Sequence, residues 1–514
     1  MVKTTSETMY SPQVVEEYKG NPFIEALPPI LSLAESVDVL TVTPGFNKTE
    51  RELDAHYRFH CVQRLFRYFQ PLDTHLDIEQ RISRAIRQGY VNRNPIKSSY
   101  VQRVRQCSEA TEQQSFENVD FRSVKSTASG FTIIGISGVG KTTAVERVLS
   151  LYPQCIMHTE YDGQPFYLKQ LAWMKLDCPF DGSIKGLCMS FFAEADRLLD
   201  YEYSKRFLAS TTTVDAMIPR MAHIASTHGV GLLVIDEIQH LSLAKSGGSE
   251  KMLNFFVTLV NTIGIPVLLI GTTKAMSILQ SEFRQARRGS GQGDLLWDRM
   301  QNDASWQIML QSMWQYQWTR THCPLTSELV EVLYDESQGI IDIAVKLYAL
   351  AQIKAIADGL EVITPYIISA VGAEKLKLVK PMLDALRSGD KKKLLKYEDI
   401  RPINIEDYIS AQATKLSTYT QKVSSIEEQA VLKLLEMEIP SKTAAKCVKR
   451  VLSRHKDGQP LSGVVRKAFK MALELDVPKD DYGKESQPSE GDIRDSGGYD
   501  KLKESGIIAI GEEW

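Results

Sequence analysis

Gly135-Ile-Ser-Gly-Val-Gly-Lys141-Thr142 fits the phosphate-binding pattern G-x-x-x-x-G-K-[ST] at every fixed position, and its setting fits as well. Phe131-Thr-Ile-Ile134 is a short apolar, β-branched run that reads as a buried strand, and Thr142 to Leu151 has the periodicity of a helix. The chemistry needs that order. Glycines let backbone wrap around phosphates, and the helix that follows presents unpaired N–H groups and the positive end of its dipole. Lys141 neutralises the outer phosphates and the Thr142 hydroxyl is a magnesium ligand. The loop residues Gly135, Ser137, Gly138, Val139 and Gly140, with Thr143 one position further on, complete the candidate nucleotide contacts.

Ninety-five residues after Lys141 the chain reads Leu232-Leu-Val-Ile-Asp236-Glu237. Four apolar residues make a central strand, and the acidic pair falls at its carboxyl end, where open α/β sheets bind ligands. Asp236 is placed to hold magnesium, directly or through water, and Glu237 to polarise the water that attacks a γ-phosphate. The next strand ends in Gly271-Thr272-Thr273-Lys274, and either threonine can orient that water or simply cap the strand. Phe283-Arg284-Gln-Ala-Arg287-Arg288 then runs into a Gly-rich loop. In an oligomer, Arg287 or Arg288 is a candidate to reach a neighbour's site and stabilise charge on the transferring phosphoryl group; a surface loop or a DNA contact is the alternative.

The 514 residues suggest about three domains. Strand-like and helix-like runs alternate from the phosphate loop to about Thr273, which signals βαβ units and a parallel sheet, an α/β core. Ala172-Trp-Met-Lys-Leu-Asp177 is a second strand and Pro266-Val-Leu-Leu-Ile270 a fourth, after the acidic one. The expected divisions are a mainly helical, basic N-terminal region (1–115), the α/β core (116–300), a helical lid (301–380), a C-terminal helical region (381–475) and an acidic, largely disordered tail (476–514). Residues up to Leu27-Pro-Pro29 read as weakly ordered, and the chain beyond Gly293 as helical.

No apolar run approaches the ~20 residues that span a bilayer, and the polar N-terminus does not resemble a signal peptide. Seven scattered cysteines without a C-x-x-C pair argue for reduced thiols, hence a cytoplasmic setting. His56, His60 and Cys61 approach a metal-ligand spacing but lack further ligands. Net charge is −3, yet Arg81 to Arg105 carries seven basic residues and no acidic one, and Ser441 to Lys470 carries nine against the single Asp457. From Glu474 onward, twelve acidic residues outweigh five basic ones, which suits a partner-binding or solubilising extension.

Phosphate loop, Asp-Glu strand, polar strand tip, trailing arginines and helical lid together resemble an AAA+ P-loop ATPase, with ATP and Mg²⁺ as the implied cofactors. One position departs from that pattern. Where many relatives carry an arginine that touches the γ-phosphate, this chain reads Ser337-Gln-Gly-Ile-Ile-Asp342-Ile-Ala-Val-Lys346, with Asp342 near the expected position and Lys346 a weak substitute. Gly89-Tyr-Val-Asn-Arg-Asn-Pro95, Trp173-Met-Lys-Leu-Asp-Cys-Pro-Phe-Asp-Gly-Ser183, Ile270-Gly-Thr-Thr-Lys-Ala275 and Phe283-Arg-Gln-Ala-Arg-Arg-Gly-Ser-Gly291 resemble the TnsC-type transposition regulators, over roughly residues 40 to 375.

That resemblance implies a bacterial, nucleoid-associated ATPase that forms a ring or filament on double-stranded target DNA. It implies a link between a target-selection protein and transposase subunits, with the C-terminal region as the transposase dock. A helicase loader or origin-recognition-type ATPase, or a DNA-independent signalling scaffold, are the competing readings.

Such an assembly grips the phosphate backbone through repeated Lys and Arg contacts. Lys169, Lys175 and Lys185 flank the second strand on expected loops and are the candidate DNA contacts, with the two basic runs as alternative surfaces. Ser441 to His455 suits either one half of a helix-turn-helix or a plain amphipathic helix pair. No carboxylate layout of a nuclease or transposase stands out, which leaves DNA breakage to a partner.

Overall fold

The computed structural model describes residues 5–113, 128–209, 211–243, 255–256, 260, 264–278, 293–389, 430–431, 433–435, 437, 439–454 and 461–475. The chain divides into two units, Met1–Ser425 and Ile426–Trp514. Arg287, Arg288 and the acidic tail lie outside the described residues.

Strands in chain order are β1 (Thr5–Glu7), β2 (Phe131–Gly135), β3 (Cys155–Tyr161), β4 (Gln164–Leu171), β5 (Trp173–Asp177), β6 (Leu232–Asp236), β7 (Val267–Gly271) and β8 (Asp294–Trp297). Five of them form one sheet in the order β5-β6-β7-β2-β8, every neighbouring pair parallel. β2, β6 and β7 are buried along their whole length, as central parallel strands covered on both faces must be. Side chains alternate between two apolar cores. Leu233, Ile235, Val267 and Leu269 enter one with Phe191, Phe192, Met217 and Met221 of the helices Ile184–Leu199 and Val214–Thr227. Leu232, Val234, Leu268 and Ile270 enter the other with Val145 and Val148 of Lys141–Leu149.

That second face is closed by the N-terminal region. The helix Asp73–Val91 buries Ile78, Ile82, Ile86 and Tyr90 there, a spacing of four residues that keeps one face on the sheet. The chain before it is also ordered, contrary to the weak order expected up to Leu27-Pro-Pro29. β1 pairs in parallel with β3, and Phe23, Ile24 and Leu27 are buried in the same core. The physical reason is that the backbone is satisfied by a strand whose own signal is broken by polar residues. β3 and β4 form an antiparallel hairpin with a bulge between His158 and Glu160.

β8 corrects a second expectation, since the chain beyond Gly293 first adds a fifth strand beside β2 before turning helical. The helices Ala304–Trp314, Ser327–Ser337, Ile341–Ala357, Pro365–Lys375 and Lys380–Ser388 then build a third core. Phe59, Cys61, Val62 and Leu65 from the N-terminal arm are part of that core, which gives Cys61 a packing role. Arg58, 1% exposed, fastens the arm with a two-pronged pair to Glu361 at 2.6 Å and 2.6 Å and a bond to Trp318 O.

In the second unit, Ser441–Arg454 and Leu461–Leu475 pack together through Ala444, Cys447 and Val448 on one helix and Val464, Val465 and Ala468 on the other. Lys442, Lys446, Lys449, Arg450, Arg466 and Lys470 stand on their exposed faces. Among the described residues no helix is long and apolar enough to cross a membrane.

Candidate functional site

The phosphate loop leaves β2 and enters the helix Lys141–Leu149 through Gly138 and Gly140, both left-handed at φ 82° and 100°. Gly135 has a different task from the one its motif suggests. It is the last residue of β2, opposite Trp297 in the register with β8, and a Cβ there would meet Trp297 O at 2.1 Å. Gly135→Ala is therefore expected to cost about 1–3 kcal/mol of stability by forcing β8 away. Thermal melting checks this; an unchanged melting temperature would mean that β8 yields freely.

Lys141 is only 8% exposed and donates to Gly135 O at 2.9 Å and Ile136 O at 2.8 Å, which keeps its ammonium at the floor of the loop. Thr142 Oγ1 donates to Asp236 Oδ2 at 2.7 Å. The sheet makes this meeting possible, because β7 alone separates β2 from β6 and brings their carboxyl ends side by side. Two hard oxygen donors at the mouth of a phosphate loop suit Mg²⁺, which takes one or two protein oxygens and fills its octahedron with phosphates and water. Among the described residues no group of three or more His, Cys, Asp or Glu is placed to hold a metal ion.

Glu237 follows with a left-handed backbone, φ 57°, an uncommon conformation for a residue with a Cβ, and its N–H donates to Asp236 Oδ1 at 2.8 Å. The turn thereby aims the second carboxylate away from the first. Gln239, which the sequence reading did not single out, holds it there. Its amide donates to Glu237 Oε2, while its Oε1 accepts from Thr272 N at 3.1 Å. The bridge explains Gly271 too, where a Cβ would meet Ile238 Cγ1 at 2.5 Å and Gln239 Oε1 at 3.2 Å. A polar residue three positions beyond an acidic strand end, on a short 3-10 turn, is the only local signal that this bridge offers.

Thr272, 5% exposed, lines the same cleft, and its Oγ1 has no partner among the described residues. An orphaned buried hydroxyl beside a phosphate loop fits a phosphate oxygen or an attacking water. Thr273 is half-buried and does not line the cleft, so the structure separates the two threonines that the sequence left equivalent.

The cleft measures about 320 Å³, with Ser137, Lys141, Thr142, Asp236, Glu237 and Thr272 on its walls. A second cavity of about 260 Å³ adjoins it, walled by Phe66, Tyr68 and Phe69 of the N-terminal arm, Val139 and Thr143 of the loop, and Met309 and Val345 of the lid. An apolar slot next to a phosphate cradle has the character of a base pocket. His75 in its wall is neutral: burial pushes its pKa down to about 4, and its Nδ1 accepts from Leu72 N at 2.8 Å.

Lys175 corrects the sequence reading. It lies inside β5, opposite Val234, rather than on a loop, and its ammonium is 2.6 Å from Glu146 Oε1 and 3.5 Å from Asp236 Oδ2. Burial opposes its charge, but the bond to Glu146 and the charges of Asp236, Glu146 and Asp177 outweigh that and raise its pKa. Its direction is set by strand alternation, which turns it toward the nucleotide cleft. Lys169 likewise sits in β4 and spends its ammonium on Leu199 O and the Tyr201 ring. Lys185 is half-buried in the first turn of Ile184–Leu199. Lys346 is paired with Asp342 at 2.5 Å and borders the base pocket, not the phosphate cleft.

Residues 124–279 match the family model described as an AAA domain. No curated protein matches the chain. Among solved structures it is similar to the ORC1 protein of Aeropyrum pernix in complex with DNA, at 12% identity, covering 72% of this chain and 83% of that one with a TM-score of 0.35. It is similar to Cdc6p from Pyrobaculum aerophilum at 12% identity, 75% and 98% coverage and a TM-score of 0.33. A Walker-type ATPase of Pyrococcus abyssi gives 13% identity, 61% and 88% coverage and a TM-score of 0.32. The chain carries an AAA domain, and its five-stranded parallel sheet with helices on both faces is the fold of an AAA+ P-loop ATPase.

Proposed function

We propose that this protein hydrolyses ATP with Mg²⁺ and uses the nucleotide to assemble on double-stranded DNA as a transposition regulator of the TnsC type. The observation that carries the ATPase reading is the meeting of Thr142 and Asp236 at 2.7 Å, with Glu237 and Thr272 in the same cleft. Lys141 would hold the outer phosphates, Thr142 and Asp236 the magnesium, and Glu237 the attacking water. Bound Mg²⁺ would supply charge neutralisation between the phosphates. Arg287 or Arg288 of a neighbouring subunit would complete the site, which couples nucleotide to assembly. The division at 115, 300, 380 and 475 is the corresponding functional layout.

The transposition reading rests on the longer strings that resemble TnsC-type proteins. The basic outer faces of Ser441–Arg454 and Leu461–Leu475, which carry no exposed acid among their described side chains, supply a surface of the right charge for DNA. The target-selection protein would bind elsewhere, and the transposase would bind the C-terminal region away from those basic faces.

Electron microscopy with random duplex DNA, with and without a non-hydrolysable ATP analogue, tests the reading. Nucleotide-dependent rings or filaments on DNA are expected, and Lys141→Ala should abolish both nucleotide binding and assembly. DNA-bound assemblies of that variant with ATP would sink the coupling. Wild-type assemblies without DNA would favour a scaffold, and copurification with a helicase instead of a transposase would favour a loader.

A further inference from the structure

The geometry points to Asp342 as a reader of the nucleotide's ribose hydroxyls, so that the site takes ribonucleotides in preference to 2′-deoxyribonucleotides. This inference rests on the nucleotide reading above and deepens it. A nucleoside phosphate is an ordered chain of base, sugar and phosphates. The chain of cavities here is ordered the same way, with the apolar slot on one side and the phosphate cleft on the other. Three residues border both: Gly140, Thr143 and Asp342. Backbone N–H groups at the start of the loop helix cradle the inner phosphates, so the sugar falls where Gly140 and Thr143 face Asp342. Among the described residues Asp342 is the single charged side chain at that junction, since Lys346 borders only the slot and Lys141, Asp236 and Glu237 only the cleft.

The chemistry of the position agrees. A carboxylate is an acceptor only, and a vicinal diol offers two donors. Oδ2 of Asp342 takes the Lys346 ammonium at 2.5 Å, which fixes the carboxylate plane and leaves Oδ1 to accept from a hydroxyl. The side chain is 47% exposed, open enough to meet a ligand without a burial penalty. Its helix, Ile341–Ala357, is entered through Ile340 with no side-chain cap, so Asp342 is not consumed in capping. An anion near phosphates has a repulsive cost, and acceptance from the sugar supplies a reason to keep it there.

Calorimetric titration of the full chain with ADP and with 2′-deoxy-ADP tests the assignment without turnover. Wild type should bind ADP about tenfold more tightly, the worth of one charge-assisted hydrogen bond at a half-exposed site. Asp342→Ala should bring the ratio close to one by weakening ADP alone. Asp342→Asn, which keeps one acceptor, should retain part of the preference. Equal binding of the two nucleotides by wild type overturns the inference and leaves the nucleotide site intact. An unchanged ratio in Asp342→Ala with a lowered melting temperature would reduce Asp342 to a helix-dipole and ion-pair role, and equal tightening of both ligands would reduce it to a repulsive charge. Failure of wild type to bind either nucleotide would instead overturn the ATPase reading beneath it.

Discussion

Glu237→Gln is expected to bind ATP like wild type, to lose at least about a hundredfold in turnover, and to accumulate on DNA as nucleotide-bound oligomers. The substitution removes a proton acceptor and changes little else. Its backbone stays in the left-handed turn that Asp236 Oδ1 fixes through the Glu237 N–H, and the amide still reaches Gln239. Lys141, Thr142 and Asp236 are untouched, so the ground-state contacts to phosphates and magnesium remain. A group that acts only as the bond breaks should depress the rate constant and spare affinity. Steady-state phosphate release and equilibrium binding separate the two effects. Near-normal turnover would remove Glu237 from the reaction and shift attention to Thr272.

Acidification should destabilise the larger unit steeply between pH 6.5 and about 4. His75, His158 and His228 are each held down to about 4, first of all by burial. Hydrogen bonds give only partial relief, from Gln170 to His158 and from the Lys169 backbone to His228. His158 is bracketed by the Tyr10 hydroxyl and Gln170, with Phe23 and Phe166 against its ring. His228 is bonded to Lys169 O at 3.0 Å, but burial and the charges of His223 and Lys169 outweigh that bond. His75 lies between Phe69 and Trp297.

Unfolded chains protonate histidine near pH 6.5 while these three stay neutral, so below that value the unfolded state binds more protons and gains. The stability is whole above pH 6.5, drains as pH falls, and reaches its floor below about 4. By pH 5 each group costs on the order of 2 kcal/mol, against a total stability of about 5–15 kcal/mol for an ordinary domain. Thermal melting across pH 7.5 to 5 should show it, and His158→Gln should flatten the slope by about one proton. An equal slope in that variant would mean that His158 charges freely in the fold.

The nucleotide loop and three of the four other sheet strands were legible because local sequence carries their physics. A strand buried on both faces has to be apolar throughout, as Leu232-Leu-Val-Ile235 is, and a phosphate loop has to be glycine-rich and end in Lys-Thr. β8 escaped because four residues ending in Trp297 make no period, and its partner strand β2 lies 162 residues away, Thr132 opposite Asp294. The hairpin of β3 and β4 escaped because it buries polar groups in pairs, His158 on Gln170, where a pattern reader expects apolar ones. Lys175 was assigned to a flanking loop although the expected strand from Ala172 to Asp177 already contained it; β5 spans Trp173–Asp177, so the lysine is mid-strand and points where alternation sends it. The slot beside the phosphates had no local signal at all. Its walls come from residues 66–75, from the loop and from the lid, and only the fold assembles them.

The Arg58–Glu361 clasp ties the N-terminal arm and the helical lid into one lever. Phe66 and Tyr68 pack with the same core as Met309, while Phe69 and Val139 belong to the core of the sheet. On the proposed reading, a base would lie between those two cores. Swinging the lid without the arm would break a buried ion pair at a cost of about 3–5 kcal/mol, so the two can only swing together. A nucleotide bound on the proposed reading would therefore bear on arm and lid as one piece.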